Sequence, residues 1–332
     1  MPAWRLAAGL LLGGLILYFL AREVDLAQVA GVLRDAHPGL LALAVSAQLP
    51  SLYGKGLRWS LAVAAATGRR PRRRLFSAMV IGTAGNILFP ARLGDFARVL
   101  VLRRHNDVPA SLSLVASWSV QLFDFLLVAT ILLAAAGPGL ASPAALASTI
   151  AAALGLLGFL AAINRWPRAA ERIEARLPGP LRRRFGPLLV TARGGLGFLG
   201  RPRVVAAVLA STVLIWAIEA TGMSLALRAF DLPADYATAA LLVAGIGLSF
   251  VLPLTPGSLG TLQLVCVLVL SALGVERDRS LAFGLALQAV SQGSTVLLGL
   301  ALLQREGLDF RQLRQAAETQ TTADKPATAG TD

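Results

Sequence analysis

Six stretches of this chain, near residues 5–21, 39–65, 110–136, 144–163, 204–227 and 281–303, are almost wholly apolar. A helix needs about 20 apolar residues to cross about 30 Å of hydrocarbon, and these runs meet or approach that length. Inside a bilayer no water satisfies a bare peptide group, so each run must close its own hydrogen bonds as an α-helix. The 332 residues are 56% hydrophobic and only 15% charged, whereas a soluble domain carries about 25% charged residues. So few charges cannot cover a water-facing surface. The chain reads as one all-α polytopic membrane domain over 1–304, followed by a tail over 305–332. The tail is polar and aperiodic from about residue 316, where disorder is expected.

Cytoplasmic loops of inserted proteins are enriched in Lys and Arg. Loop 22–37 holds Arg22 and Arg34 against Glu23, Asp25 and Asp35, and loop 228–237 holds Arg228 against Asp231 and Asp235. Loop 66–75 carries five arginines between Arg69 and Arg74, and loop 164–203 carries ten against Glu171 and Glu174. The pattern predicts a multi-pass protein of the cell (inner) membrane with both termini and the two basic loops in the cytoplasm. Loop 66–75 also suits contact with anionic lipid. In 164–203, Trp166 and the stretch 167–177 suggest an interfacial helix. The first span follows Arg5, and Leu20-Ala21-Arg22-Glu23 is a poor cleavage site, so 5–21 is expected to be an uncleaved signal anchor.

The same charges narrow the function classes. A net charge of +13 also suits nucleic acid, but such modules rarely carry this hydropathy, and the loop pattern accounts for the excess. Cys266 is the only cysteine, and His37 and His105 are the only histidines. That removes an intrachain disulfide, a cysteine metal cluster and nearly all His-based catalysis. No phosphate-cradling Gly-rich loop, nucleophile elbow or zinc spacing occurs.

Two further apolar stretches, 76–108 and 238–274, are interrupted by Gly and Pro. Were 76–91 to cross fully, Arg92, Arg98, Arg103 and Arg104 would emerge outside, against the charge rule. A re-entrant hairpin that enters and leaves on the cytoplasmic side avoids this, provided protein or a wet cavity covers its broken backbone. An ordinary Gly-kinked span is the alternative. Pro90-Ala91-Arg92-Leu93-Gly94 and Pro256-Gly257-Ser258-Leu259-Gly260 share a Pro-x-x-Leu-Gly pattern. Each lies between two full spans, so 39–136 and 204–303 are expected to form an inverted-topology repeat, an arrangement secondary transporters use.

Asp124 and Glu219 stand in mid-span, where a charge costs roughly 2.5–3.5 kcal/mol on insertion scales. They either line a cation, proton or headgroup-amine site or pack as a protonated or hydrogen-bonded pair. Asn86, Arg92, Asp95 and Arg98 form a second constellation. Its arginines either hold a phosphate or snorkel to lipid and close salt bridges with Asp95. Backbone N–H groups between Gly257 and Gly260 can hold a phosphate from the other hairpin. Lys55 and Arg58 are expected to anchor the inner end of the second span.

These residues resemble the transmembrane region of lysylphosphatidylglycerol synthases, also called the flippase-like family. Gly56-Leu57-Arg58-Trp59, the run Asn86, Pro90, Arg92, Gly94, Asp95 and Arg98, Leu122-Phe123-Asp124 and Thr255-Pro256-Gly257-Ser258-Leu259-Gly260 carry the resemblance, which covers about 5–304. Gln121, Ser258 and Leu262-Gln263 depart from the family pattern, in which an Arg, a Gly and an Arg-Glu pair are expected. Gln121 and Gln263 are therefore expected to form a neutral pair across the repeat interface. The resemblance implies a lipid flippase or translocase whose headgroup site holds Asn86, Arg92, Asp95, Arg98, Thr255, Gly257, Ser258 and Gly260. Gln121, Asp124, Glu219 and Gln263 are expected to line its intramembrane polar path. The rival is a membrane component of aminoacyl-phospholipid or lipid-linked sugar synthesis, and the blander alternative a scaffold whose polar residues only pack helices. No soluble segment longer than about 40 residues lies within the chain, so catalysis by it alone is not expected. Expected partners are anionic phospholipids, a separately made transferase and a second copy in a homodimer. Neither nucleic acid nor any cofactor or metal is expected.

Overall fold

The computed structural model describes residues 33–88, 94–106, 108–135, 195–251 and 260–307, with isolated positions 31, 147, 154, 155 and 158. The expected signal anchor, most of the 144–163 span, the interfacial stretch 167–177 and the tail beyond 307 lie outside them. Among the described residues the regular structure is entirely helical. The helices are α1 (Pro38–Ser46), α2 (Gln48–Thr67), α3 (Leu75–Leu88), α4 (Gly94–Asn106) and α5 (Ala110–Ala135), then α6 (Pro202–Ala229), α7 (Tyr236–Val251), α8 (Thr261–Ala272) and α9 (Arg277–Arg305). A 3₁₀ turn, Gly197–Gly200, leads into α6.

Three expected spans appear as α5, α6 and α9, each long and apolar enough to cross a membrane. Only about a third of each is buried in protein. Their outer faces expose Trp118, Val213, Leu214 and Leu297, side chains that favour hydrocarbon over water. The span expected over 39–65 is two helices instead, α1 and α2, meeting at Ala47. Pro50 is the physical reason. It has no N–H for the Ser46 carbonyl, and its ring crowds that carbonyl.

The interrupted stretches form helical hairpins. α3 and α4 run antiparallel, and Asn106 at the end of α4 donates to the Arg73 carbonyl (2.9 Å) and accepts from the Arg73 N–H (3.2 Å), just before α3 begins. With 14 and 13 residues, at 1.5 Å rise each helix is roughly 20 Å long, short of about 30 Å of hydrocarbon. The hairpin closes through glycine: a Cβ on Gly94 would sit 1.9 Å from the Gly82 carbonyl oxygen, and one on Gly85 would sit 2.7 Å from the Gly94 Cα. α7 and α8 pair likewise, with 16 and 12 residues.

The two hairpins begin and end at opposite ends of the bundle. At one end the His37 N–H donates to the Ala229 carbonyl (2.8 Å), and Arg279 donates to the carbonyls of Phe230 and Asp231. This end holds the start of α7 and the end of α8. At the other end buried Glu306 meets His105 at 2.9 Å and Arg74 at 3.5 Å, joining α9 to the hairpin of α3 and α4. Near that second end lie ten described arginines (Arg69, Arg70, Arg72, Arg73, Arg74, Arg103, Arg104, Arg201, Arg203 and Arg305) against Glu306, while the first end mixes signs.

Packing follows a paired pattern. α2 packs on α3 as α6 packs on α7, α4 on α5 as α8 on α9, and α9 on α3 as α5 on α7. α2 and α6 pack on each other. One apolar core gathers Trp59, Val63, Met79, Val101 and Phe123. A second gathers Leu227, Leu242, Leu270 and Phe283. Between them Val128, Ile215, Trp216 and Ala244 form a small joint.

Gly94→Ala is expected to cost about 3 kcal/mol, the upper range for overpacking a tight contact, and to lower the unfolding midpoint in detergent. Gly293→Ala, where an added Cβ meets nothing within 4 Å, should leave that midpoint unchanged or raise it. At the start of α7 the side-chain and backbone hydrogen bonds from Thr238 hold the Asp235 carboxyl below its ordinary pKa. A depressed carboxyl contributes its stability above the unfolded pKa and loses it as pH falls through the folded one. Asp235→Ala should therefore cost about 1 kcal/mol at neutral pH and progressively less in acid, as read by thermal unfolding at both pH values.

Candidate functional site

Each long helix carries polar residues at helical spacing on one face. On α2 they are Gln48, Ser51, Lys55 and Arg58, on α5 Ser117, Gln121 and Asp124, and on α6 Thr212, Trp216 and Glu219. On α9 they are Gln288, Ser291, Gln292 and Thr295. Steps of three and four residues keep such groups in one row. The rows meet around a cavity of about 400 Å³ inside the bundle. Asn86 and Arg98 enter its wall from the hairpin of α3 and α4.

The firmest contact is between Arg58 and Asp124. Arg58 donates from both terminal nitrogens to the two carboxylate oxygens, at 2.7 and 2.6 Å. The same guanidinium donates to Thr212 Oγ1 at 2.7 Å, and the Trp216 indole N–H donates to Asp124 at 3.0 Å. The Arg58 side chain is 3% exposed and that of Asp124 19%. A charge this deep is tolerated because a bidentate partner and neutral donors replace its water. The node ties α2, α5 and α6 together.

A second pair lies one helical turn away. Lys55 meets Glu219 at 2.6 Å, and Ser51 donates to the same oxygen at 2.5 Å. This pair is the wetter one, with side chains 37% and 24% exposed. A third pair joins Arg98 to Asp95 at 3.1 Å, supported by Asn86 donating to Asp95 at 3.2 Å. Arg98 also donates to Ser117 Oγ of α5 at 3.0 Å. The three cations thus stand opposite three acids.

Of the residues expected at the site, Asn86, Asp95 and Arg98 are brought together, and Asn86, Arg98, Gln121, Asp124 and Glu219 line one cavity. Arg92, Thr255, Gly257 and Ser258 lie outside the described residues. Gly260 stands at the start of α8, where its N–H donates to Gln263 Oε1 at 2.8 Å. Buried Gln263 donates to Gln288, which donates to the cavity-lining Gln292 at 3.2 Å. Gln121 donates to the Ser117 carbonyl on its own helix at 3.3 Å. Gln263 thus bonds to α9, while Gln121 bonds within α5.

Lys55 and Arg58 are not the membrane-edge anchors expected. Arg58 stands nine residues before the end of α2, about 14 Å inward, and its charge is buried. Sequence reasoning missed this because it took the basic residues of 39–65 as span-end signals. The row of Gln48, Ser51, Lys55 and Arg58 in an otherwise apolar run was the available sign. The row of Thr212, Trp216 and Glu219 was another.

A family model described as the lysylphosphatidylglycerol synthase TM region matches residues 6–299. A curated protein of Haloferax volcanii named glycosyltransferase AglD is 32% identical over 124 residues. That alignment covers 37% of this chain and 20% of the relative, so the chain spans only a fraction of the relative's length.

Removing one partner of a buried ion pair leaves the other charge uncompensated, at roughly 3–5 kcal/mol. Arg58→Leu or Asp124→Leu alone should cost that much, and the double replacement should recover most of it. Lys55→Ala should cost only about 1 kcal/mol, as for a solvated pair. Denaturant unfolding in detergent, arranged as a double-mutant cycle, reads all three.

Proposed function

The chain belongs to the lysylphosphatidylglycerol synthase transmembrane-region family of membrane proteins, and from that premise we infer that it is a lipid translocase. Its cargo is a phospholipid or another lipid-linked headgroup. The observation that carries this reading is the Lys55–Glu219 pair, partly exposed on the wall of a cavity that also presents Arg98 and Asn86 among apolar side chains. Unlike the buried Arg58–Asp124 pair, this one keeps accessible surface on both charges. A wet pair can exchange partners: Lys55 takes the headgroup phosphate, and Glu219 takes an amine or hydroxyl group. Arg98 and Asn86 stand on the same wall to receive the other phosphate oxygens.

On this reading the two short hairpins are re-entrant, dipping from opposite faces, and the two halves form an inverted repeat. The exchange pattern of helix contacts supports it, as does helix length below the hydrocarbon thickness. The arginine-rich end is cytoplasmic by the charge rule. Alternating access then swaps the arrangement of one half for that of the other around a fixed site. Anionic phospholipids and a separately made lipid-modifying transferase are the partners this role calls for.

A second reading has one observation in its favour, the name of the archaeal relative. On that reading the chain is the membrane component of lipid-linked sugar synthesis, and the headgroup in the cavity is a sugar phosphate.

Reconstitution with a fluorescent phosphatidylglycerol tests the first reading, with dithionite quenching to report the exposed leaflet. Wild-type protein should equilibrate the probe between leaflets. Lys55→Ala and Glu219→Gln should slow it about tenfold or more, the loss expected for one charge-assisted contact, while unfolding midpoints stay near wild type. Full transport by both variants would remove the residue assignment, and no transport by wild type would remove the function.

A further inference from the structure

The cavity that holds the charged pairs continues sideways. Between α1, α2 and α9 it meets an apolar groove of about 530 Å³. Leu41, Val45, Gln48, Leu52, Val290 and Thr295 line both spaces. At their junction the backbones of α2 and α9 do not pack along their lengths among the described residues. Gln48 bridges the seam by hydrogen bonds. Gln48 Nε2 donates to Ser291 Oγ at 2.9 Å, and its Oε1 accepts from Thr295 Oγ1 at 2.9 Å. Gln48 directly follows Ala47, where Pro50 interrupts the helix, so the clasp sits beside a built-in break.

We propose that this seam is a lateral portal for a lipid acyl chain and that the Gln48 clasp is its gate. The headgroup occupies the cavity at Lys55, and one chain trails through the groove into the bilayer. The headgroup half of this statement rests on the translocase reading. The occupant follows from the chemistry of the two connected spaces, since one sets charged groups such as Lys55, Arg98 and Glu219 among apolar neighbours while the other has no charged residue in its largely apolar wall. A lipid is the ligand with that division along its own length. The groove has the size of an ordinary ligand pocket, about 300–1,000 Å³. Two neutral hydrogen bonds across an otherwise loose seam suit a contact that opens and recloses.

The test is photolabelling with a phosphatidylglycerol that carries a diazirine at the end of one acyl chain, in phosphatidylcholine vesicles, followed by peptide mapping. Leu49 and Leu298 in the groove should be labelled about tenfold more than Val213 and Leu214, which face ordinary lipid on α6. Lys55→Ala should abolish that excess. Equal labelling at both surfaces, or an excess that survives Lys55→Ala, overturns the portal. Gln48→Leu should speed groove labelling severalfold. Ser291→Ala combined with Thr295→Val removes the clasp from its other side and should do the same. Unchanged or slower labelling in both overturns the gate. Labelling needs no translocation, so a wild type that labels its groove yet moves no lipid sinks the translocase reading alone. Ala42→Trp with Ser294→Trp fills the groove without touching the charged pairs. Full transport by that variant sinks the portal alone.

Discussion

A buried guanidinium facing a buried carboxylate organises this molecule. Arg58 and Asp124 meet through two hydrogen bonds, with Thr212 and Trp216 completing the shell. Three helices from distant parts of the chain must converge for that to happen. In an apolar surrounding neither charge is tolerable alone, so α2, α5 and α6 cannot slide or rotate independently without stranding one of them. The neighbouring apolar cores supply cohesion, but a Leu against a Leu specifies little about register. The ion pair specifies it.

Around this fixed node the other two charge pairs differ in dryness, and the difference divides their roles. Arg98 and Asp95 belong to the first hairpin and fasten its arm to α5 through Ser117. The side chains of Lys55 and Glu219 keep more accessible surface. The glycines of the first hairpin make this arrangement possible, because only a missing Cβ lets α3 and α4 approach closely enough to bring Asn86 beside Asp95. Small residues at a close crossing are what membrane interiors favour, where lipid competes equally well for any larger apolar surface.

Hydropathy made much of this legible in advance. α5, α6 and α9 follow from long apolar runs, and the two interrupted stretches appear as paired short helices. Asp124 and Glu219 were recognisable as costly and therefore meaningful. The break at Ala47 was legible in principle, since Pro50 stands in the run, but a hydropathy window averages over a single proline. Lys55 and Arg58 were misjudged for a related reason. A base within a span signals orientation only when it sits near an edge, and the edge of α2 depends on where its neighbours end.

The sequence by itself determined that this chain is a helical membrane protein, that α5, α6 and α9 are long apolar helices, and that two acids stand where a charge needs an explanation. Those conclusions depend on transfer energies of individual segments, which are local properties. Only the tertiary structure decided that Arg58 answers Asp124, that Lys55 answers Glu219, and that Gln48 bonds across the seam between α2 and α9. Which charge faces which is set by how helices more than 60 residues apart are rotated about their axes. Apolar packing and buried polar pairing settle that rotation together, and neither is a property of any one segment.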